Sequence, residues 1–395
     1  MQGIILAAGH STRCFPLTVN MHKALLKVAN KRIMGYNLDC FLNLVDGVII
    51  VIGDNGDLIK KTYGDNYQGL KLTYFRQKGL KGTGDAMIQV SKLIKDDFIL
   101  MHGDDIYNKE DIKELAKFEN AVLVAESSHP ERFGVIQHKG DKFLGMLEKP
   151  KNPKTNLVNT ACSIFQKNII EELKALKPSE RGELEFTDAI NAYAKNCEVN
   201  FVVAKEWLPI GYSWDLLDVN ATILSGMKKK ILGKVERGAT IKGKLILGKG
   251  SIIKAGSYLE GDVCIGENTT IGPNCYIRGS SSIGSDCKVG NAVEVKNAIL
   301  MDGAKIGHLA YFGDSILGEK SNFGAGTKVA NLRHDGKHVF SAIKGELIDT
   351  GRRKLGAIIA ENAHTGINTS IYPGRKLWPN TMTLPGSVVQ KDIME

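Results

Sequence analysis

No apolar run in this 395-residue chain approaches the roughly 18 residues that a membrane-spanning helix needs. The first such run, Ile4-Ile5-Leu6-Ala7-Ala8, is also too short for the core of a secretory signal. No Cys-x-x-Cys pair occurs: the seven cysteines stand at 14, 40, 162, 197, 264, 275 and 287, an odd and unpatterned set. That spacing argues against a zinc knuckle or a disulfide frame, and for free thiols in a reducing compartment. A basic–aromatic motif of the nucleic-acid-binding kind is missing too. The one lysine run, Lys228-Lys229-Lys230, reads as a solvated helix end. The expectation is a cytoplasmic protein with no membrane segment and no nucleic-acid partner.

Hydrophobic content of 43% and charged content of 24% read as soluble and globular, and the length suggests two domains. A net charge of +9 suits small phosphorylated ligands. From 1 to about 205, short apolar runs (Ile4–Ala8, Val48–Ile52, Leu72–Phe75, Phe98–Met101, Val122–Ala125) alternate with helix-period segments. This alternation predicts a mostly parallel sheet covered on both faces. After the first run come Gly9, small polar residues, Arg13 and Lys23. Flexible backbone and two cations then lie at the C-terminal end of a first strand, where phosphate-bearing ligands bind in open α/β sheets. Residues 214–232 read as one helix joining the domains.

Beyond Lys234 the pattern changes. Val235, Ile241, Leu247, Ile253, Leu259, Ile265, Ile271, Ile277, Ile283, Val289, Val295 and Met301 stand six residues apart, often followed by glycine. A six-residue period fits neither helix nor hairpin; it fits a parallel β-helix of three short sides per 18-residue coil. The phase breaks near 301–311, resumes at Tyr311, Leu317, Phe323 and Val329, breaks again over roughly 330–358, and returns at Ile359. Such breaks are where loops that carry function leave a solenoid. Arg278 and Lys296, one 18-residue coil apart, should stack about 5 Å from each other and call for an anion between them.

Both halves resemble sugar-1-phosphate nucleotidylyltransferases joined to a left-handed β-helix, and the bifunctional uridylyltransferase/acetyltransferase family of archaeal type in particular. The signature L-A-A-G-x-G-T-R-x-x-P-L-T is matched by Leu6-Ala7-Ala8-Gly9-His10-Ser11-Thr12-Arg13-Cys14-Phe15-Pro16-Leu17-Thr18. The resemblance implies a nucleotidyltransferase domain over 1–213, a connecting helix over 214–232 and a left-handed β-helix acetyltransferase domain over 233–395. In the first, Leu6, Ala7, Ala8 and Gly9 would cradle UTP or dTTP, with Arg13 and Lys23 as catalytic cations. Gln77, Gly82 and Thr83 match the segment that reads the pyrimidine. Gly134, Glu148, Lys149 and Asn159 match the sugar-phosphate wall. Asp104 is the candidate Mg2+ ligand, a carboxylate suited to a hard ion.

In the second half, Gly307-His308-Leu309-Ala310-Tyr311-Phe312-Gly313-Asp314 matches the acetyltransferase signature. His308 lies outside the inward series and should be exposed, where a histidine can take the proton of an amino sugar. By the resemblance, Tyr311 or a nearby amide would meet the oxyanion. Arg278, Lys296, Asn322, Asn331 and Lys337 would hold an amino-sugar 1-phosphate, and Ala325 would present backbone to acetyl-CoA. Arg352, Arg353, Lys354 and Arg375 are further candidates for coenzyme A phosphates. Acyltransferases of this type are trimers, so a homotrimer is expected.

The chain also departs from the family pattern. Ser11 replaces the second loop glycine, His22 precedes Lys23 in place of proline, and Ala161 and Ser163 occupy the N-x-G-x-Y segment. Pro209 stands where relatives carry a second magnesium-binding aspartate. Leu332 replaces a tyrosine, with two residues inserted after it. Two other readings therefore stay open: an acetyltransferase with a decayed first domain, and a scaffold subunit like those of translation-initiation exchange factors. The latter lack the histidine segment.

Overall fold

In the computed structural model, which describes residues 1–179 and 182–395, the strand Gln2–Ala7 lies at the centre of a ten-stranded sheet. It pairs in parallel with Gly47–Ile52 on one side (Ile4↔Ile49, Leu6↔Val51) and with Phe98–His102 on the other (Ile4↔Leu100, Leu6↔His102). All three are near-continuous apolar runs because both faces are covered. Ile4, Ile49 and Leu100 share a core with Ala86, Met87, Ala189 and Ile190 of two helices. On the opposite face a Cβ at Gly3 would lie 3.2 Å from Phe41 of the helix Ile33–Phe41. The five expected strands all form. Past Phe98–His102, however, the sheet turns antiparallel through Leu157–Phe165, Gly134–Lys139 and Lys142–Glu148, a flank that the apolar-run pattern did not single out.

The chain divides into two compact units, Met1–His10 with Ile33–Pro209, and Ser11–Arg32 with Ile210–Glu395. The segment 11–32 thus belongs with the second unit, although in sequence it continues the first strand. The expected helix over 214–232 is shorter, Asp215–Gly226; Lys230–Ile231 is already a strand, paired with Ile246–Leu247. Lys228–Lys230 is therefore not a helix end.

The second unit is dominated by a left-handed parallel β-helix, three sheets of eight, seven and eight strands among the described residues. Its core is the six-residue series itself, from Leu247 and Ile253 through Val295 to Leu377 and Val389. Arg278 and Lys296 are in register one coil apart. The break near 301–311 is not a loop. Ile283 pairs with Leu300, and Val295 with Phe312, so those coils are 17 residues long. One corner is shortened at Asn297 and another at Asp314, both with positive φ (44° and 48°), a conformation Asn and Asp accept more readily than most residues. Leu300 and Phe312, rather than Met301 and Tyr311, point inward. The second break is a true excursion, carrying the hairpin Phe340–Ile343/Glu346–Asp349 before Leu317 meets Ile359. All seven cysteines are unbridged, and no described helix is long and apolar enough to cross a membrane.

Candidate active sites

The shortened corners assemble one polar cluster on the β-helix. Because Phe312 fills the core, Tyr311 beside it faces outward. Its hydroxyl accepts from Asn331 Nδ2 at 3.0 Å, and the same nitrogen donates to Asp314 Oδ2 at 2.5 Å. Asp314, 4% exposed, also receives Lys296 Nζ at 3.1 Å and Asn297 Nδ2 at 2.9 Å. Burial pushes the Tyr311 phenol above its ordinary value, opposed by Lys296 and the Asn331 bond. Arg278 has a carboxylate partner of its own. Its guanidinium pairs with Glu294 at 2.8 Å, as Lys296 pairs with Asp314. Each stacked cation carries its own carboxylate, which corrects the expectation that only a bound anion could relieve them. Glu294 and Asp314 were the missed members. The signal for Asp314 was available: a one-residue shortening lays it over Asn297.

His308 ends the strand Lys305–His308, exposed, with Leu309 (φ 52°) turning the corner toward Tyr311. Its backbone carbonyl accepts from Gly326 N at 3.2 Å. An open groove of about 720 Å³ runs past Leu309, Ala310, Tyr311, Glu294, Gly326 and Lys328. Asn322 lies on the sheet that carries His308, opposite Lys305, and not in the Tyr311 cluster. The carbonyl of Ala325 already accepts from Asn368 N at 2.8 Å. Lys337 is exposed, in a turn where Arg333 forks onto Asp335 at 2.9 and 2.6 Å. Arg352 is committed to Asp218 and Arg375 to Asp392.

In the first unit, strand pairing brings the sugar-phosphate residues together. Gly134 faces Glu148 across the hairpin; a Cβ there would lie 3.1 Å from Glu148 Oε2 and 3.6 Å from Asn159 Cβ. Lys149 follows, its ammonium 3.8 Å from Glu148. Ala161, where relatives have glycine, keeps the left-handed backbone (φ 59°) at a bulge, and its amide donates to Asn159 Oδ1 at 2.9 Å. Gln77, 5% exposed, donates to Asp85 at 2.8 Å. Gly82, at φ 104°, precedes the helix Thr83–Val90; a Cβ there would meet the Leu184 carbonyl at 2.4 Å. The Thr83 hydroxyl accepts from Phe186 N at 3.0 Å. Ala8 is half-buried and Gly9 open above the first strand. Asp104 follows the neighbouring strand Phe98–His102 at the same sheet edge, since Leu6 pairs with His102. The described residues contain no cluster of three metal-ligating side chains. Asp104 is half-buried, with Asp105 next to it in sequence, and such a carboxylate suits magnesium, which keeps waters and takes phosphates as ligands.

The signature cations lie in the second unit. Ser11, where the family signature has glycine, is itself in the left-handed conformation (φ 50°, ψ 38°), and its carbonyl accepts from Thr18 Oγ1 at 2.9 Å. His22 caps the turn Lys23–Leu25, accepting from Ala24 N at 3.1 Å. Lys23, 5% exposed, donates its ammonium to the Ile210 carbonyl. Nearby Asp215 accepts from Gly211 N and Tyr212 N at 2.8 and 2.7 Å. Burial pushes that carboxyl up, while the two amides and Lys23 hold it down. Arg13 is exposed, over the ring of Tyr212.

Comparison with known proteins agrees with both halves. The Nucleotidyl transferase family matches residues 2–226, and the GMPPB C-terminal domain matches 259–380. The Bifunctional protein GlmU of Methanococcus maripaludis strain C7 is 42% identical, over 100% of this chain and 95% of its own. The bifunctional sugar-1-phosphate nucleotidylyltransferase/acetyltransferase of Sulfurisphaera tokodaii is 37% identical, over 100% and 98%. Among solved structures, a Bacillus anthracis chain described as a candidate glucose-1-phosphate thymidylyltransferase, in complex with a sucrose, is 29% identical. It covers 56% of this chain and 94% of its own, with a TM-score of 0.52. Over its whole length, the chain belongs to the family of bifunctional sugar-1-phosphate nucleotidylyltransferase/acetyltransferases.

Proposed function

We propose that the chain acetylates glucosamine 1-phosphate from acetyl-CoA and then transfers a uridylyl group, or a thymidylyl group, to the sugar phosphate, releasing pyrophosphate. The observation that carries the first step is the cluster of Tyr311, Asn331, Asp314 and Lys296, one corner from an exposed His308. His308 takes the amine proton, and the freed nitrogen attacks the thioester carbonyl. The oxyanion is met by Tyr311 or a nearby amide, and coenzyme A leaves as the thiolate, which takes up the proton. Arg278 and Lys296 bind the sugar phosphate by exchanging carboxylate partners for phosphate oxygens, with Asn322, Asn331 and Lys337 on the sugar. The groove past Ala310 and Gly326, beside Ala325, takes the pantetheine arm.

For the second step, Gly134, Glu148, Lys149 and Asn159 hold the acetylated sugar phosphate. The bond from Gln77 to Asp85 leaves Oε1 as acceptor for the N3–H that uracil and thymine share. Magnesium, held by Asp104, would neutralise triphosphate charge. Arg13 and Lys23 stabilise the charge on the transferring phosphoryl group while the sugar phosphate oxygen displaces pyrophosphate. The division of labour follows 1–213 and 233–395. The full-length matches to bifunctional relatives favour this reading over a decayed first domain or a scaffold subunit.

One coupled assay tests it. Full-length protein with acetyl-CoA, glucosamine 1-phosphate, MgCl2 and UTP or dTTP should release free thiol first and pyrophosphate after. Thiol release without pyrophosphate from either triphosphate sinks the second activity. We also propose a cytoplasmic homotrimer; a monomer mass by light scattering sinks that assembly.

A further inference from the structure

Four side chains from three separated stretches form one stack. The Arg13 guanidinium lies 5.6 Å from the centroid of the Tyr212 ring. Tyr212 is stacked on Trp214, with centroids 4.6 Å apart and planes 9° from parallel. On Trp214 sits the Lys376 ammonium, 5.8 Å from the ring centroid. Trp214 is 3% exposed and Lys376 1%. Lys376 comes from the strand Lys376–Leu377, in the sheet it extends beyond Ile358–Ile359. Its ammonium donates to the carbonyl of Ala342 at 2.7 Å, in the hairpin of the excursion. Its amide donates to Asp392 Oδ1 at 2.9 Å, and Asp392 also pairs with Arg375 at 3.7 Å. Burial lowers the Lys376 ammonium to about 8, and Asp392, Cys14 and Arg375 are the charged or titratable groups it feels.

A buried ammonium is expensive, and as packing alone a methionine would serve better. This one is compensated by a carbonyl, a carboxylate and an aromatic face. Two parallel rings lie between it and Arg13, an exposed side chain whose rotamer freedom must be lost when a phosphate binds. We propose that Tyr212, Trp214 and Lys376 are positioning residues that preorganise Arg13. Triphosphate binding then depends on the C-terminal coils of the β-helix. The inference rests on reading Arg13 as a triphosphate-binding cation.

The test uses full-length Tyr212→Leu, Tyr212→Phe and Lys376→Met. Both activities are assayed, and MgUTP binding is measured by calorimetry. Tyr212 is half-buried, so Tyr212→Leu should fold. Its UTP KM and Kd should rise on the order of fivefold to tenfold with a smaller change in kcat. Tyr212→Phe should restore the wild-type values. Lys376→Met should raise UTP KM in the same direction while the acetyl-transfer constants stay in place. Unchanged UTP KM and Kd in Tyr212→Leu, or a Tyr212→Phe that fails to restore them, overturns the proposal. Lack of pyrophosphate release by the wild-type chain would instead count against the nucleotidyl-transfer reading, and calorimetry would still decide the stack.

Discussion

On the β-helix, Arg278 lies in register with Lys296 because each coil repeats the one before. In the α/β unit, Gly134, Glu148 and Asn159 meet because three antiparallel strands are laid side by side. The first arrangement is periodic: a side chain's place follows from its position modulo the coil. The second depends on which strands neighbour each other, which no local pattern encodes. The difference shows in what one residue does. A deletion in a coil moves everything after it by one step, and the single shortening at Asn297 is enough to turn Tyr311 outward and bring Asp314 over Asn297. In the sheet, local irregularity stays local: the bulge at Ala161 re-aims Asn159 while Cys162 to Ile164 remain paired.

Substitutions can break or sharpen this contrast. The largest expected effect is from His308→Ala, which should lower acetyl transfer by on the order of 10²- to 10⁴-fold and spare pyrophosphate release. Thiol release measured beside pyrophosphate release checks both; undiminished acetylation would remove His308 as the base. Lys23→Met should lower nucleotidyl-transfer kcat/KM on the order of 10²-fold and leave acetylation in place. A loss of both activities would mean that its bond to Ile210 is chiefly structural.

Asp314→Asn should cut acetyl-transfer kcat/KM about tenfold, because Lys296 and Asn331 lose their common carboxylate. Tighter glucosamine 1-phosphate binding with full kcat would instead make Asp314 merely a neutraliser of Lys296.

A pH effect should follow from Lys376. Its folded pKa, about 8, lies below the ordinary lysine value of 10.5, so between those values the unfolded chain binds more protons. Stability from this group therefore rises as pH goes from 8 to 10.5, and its burial penalty is full below 8. The Tm difference between Lys376→Met and wild type should shift in favour of wild type over that window. A difference constant with pH would contradict the lowered pKa. The smallest effect is expected from Ser11→Gly, which relieves a left-handed residue. It should raise stability by less than about 1 kcal/mol, a Tm gain of up to a few degrees.

Much of the architecture was legible. The five apolar runs of the first half became strands, and the hexapeptide series became the β-helix core. Less was legible where neighbours in space decide the outcome. Met301 and Tyr311 were expected inside, because a strict period has no way to register a shortened corner. The helix after Trp214 was expected to run to 232. It stops at Gly226, since Lys230–Ile231 gains more by pairing with the first coil. Asp314 sat inside the acetyltransferase signature without a role and Glu294 was not singled out; only their contacts with Lys296 and Arg278 gave them one.

By itself, the sequence determined the periodic half and the identity of the chemical groups, because period, glycine placement and residue type are local properties of a chain. Tertiary structure decided which cation meets which carboxylate. It also decided that the segment with Arg13 and Lys23 packs with Ile210, Tyr212 and Trp214, and that Lys376 completes the stack. The direct contacts join residues up to 199 positions apart (Arg13 and Tyr212). At such separations it is burial and the pairing of charges, not spacing along the chain, that select partners.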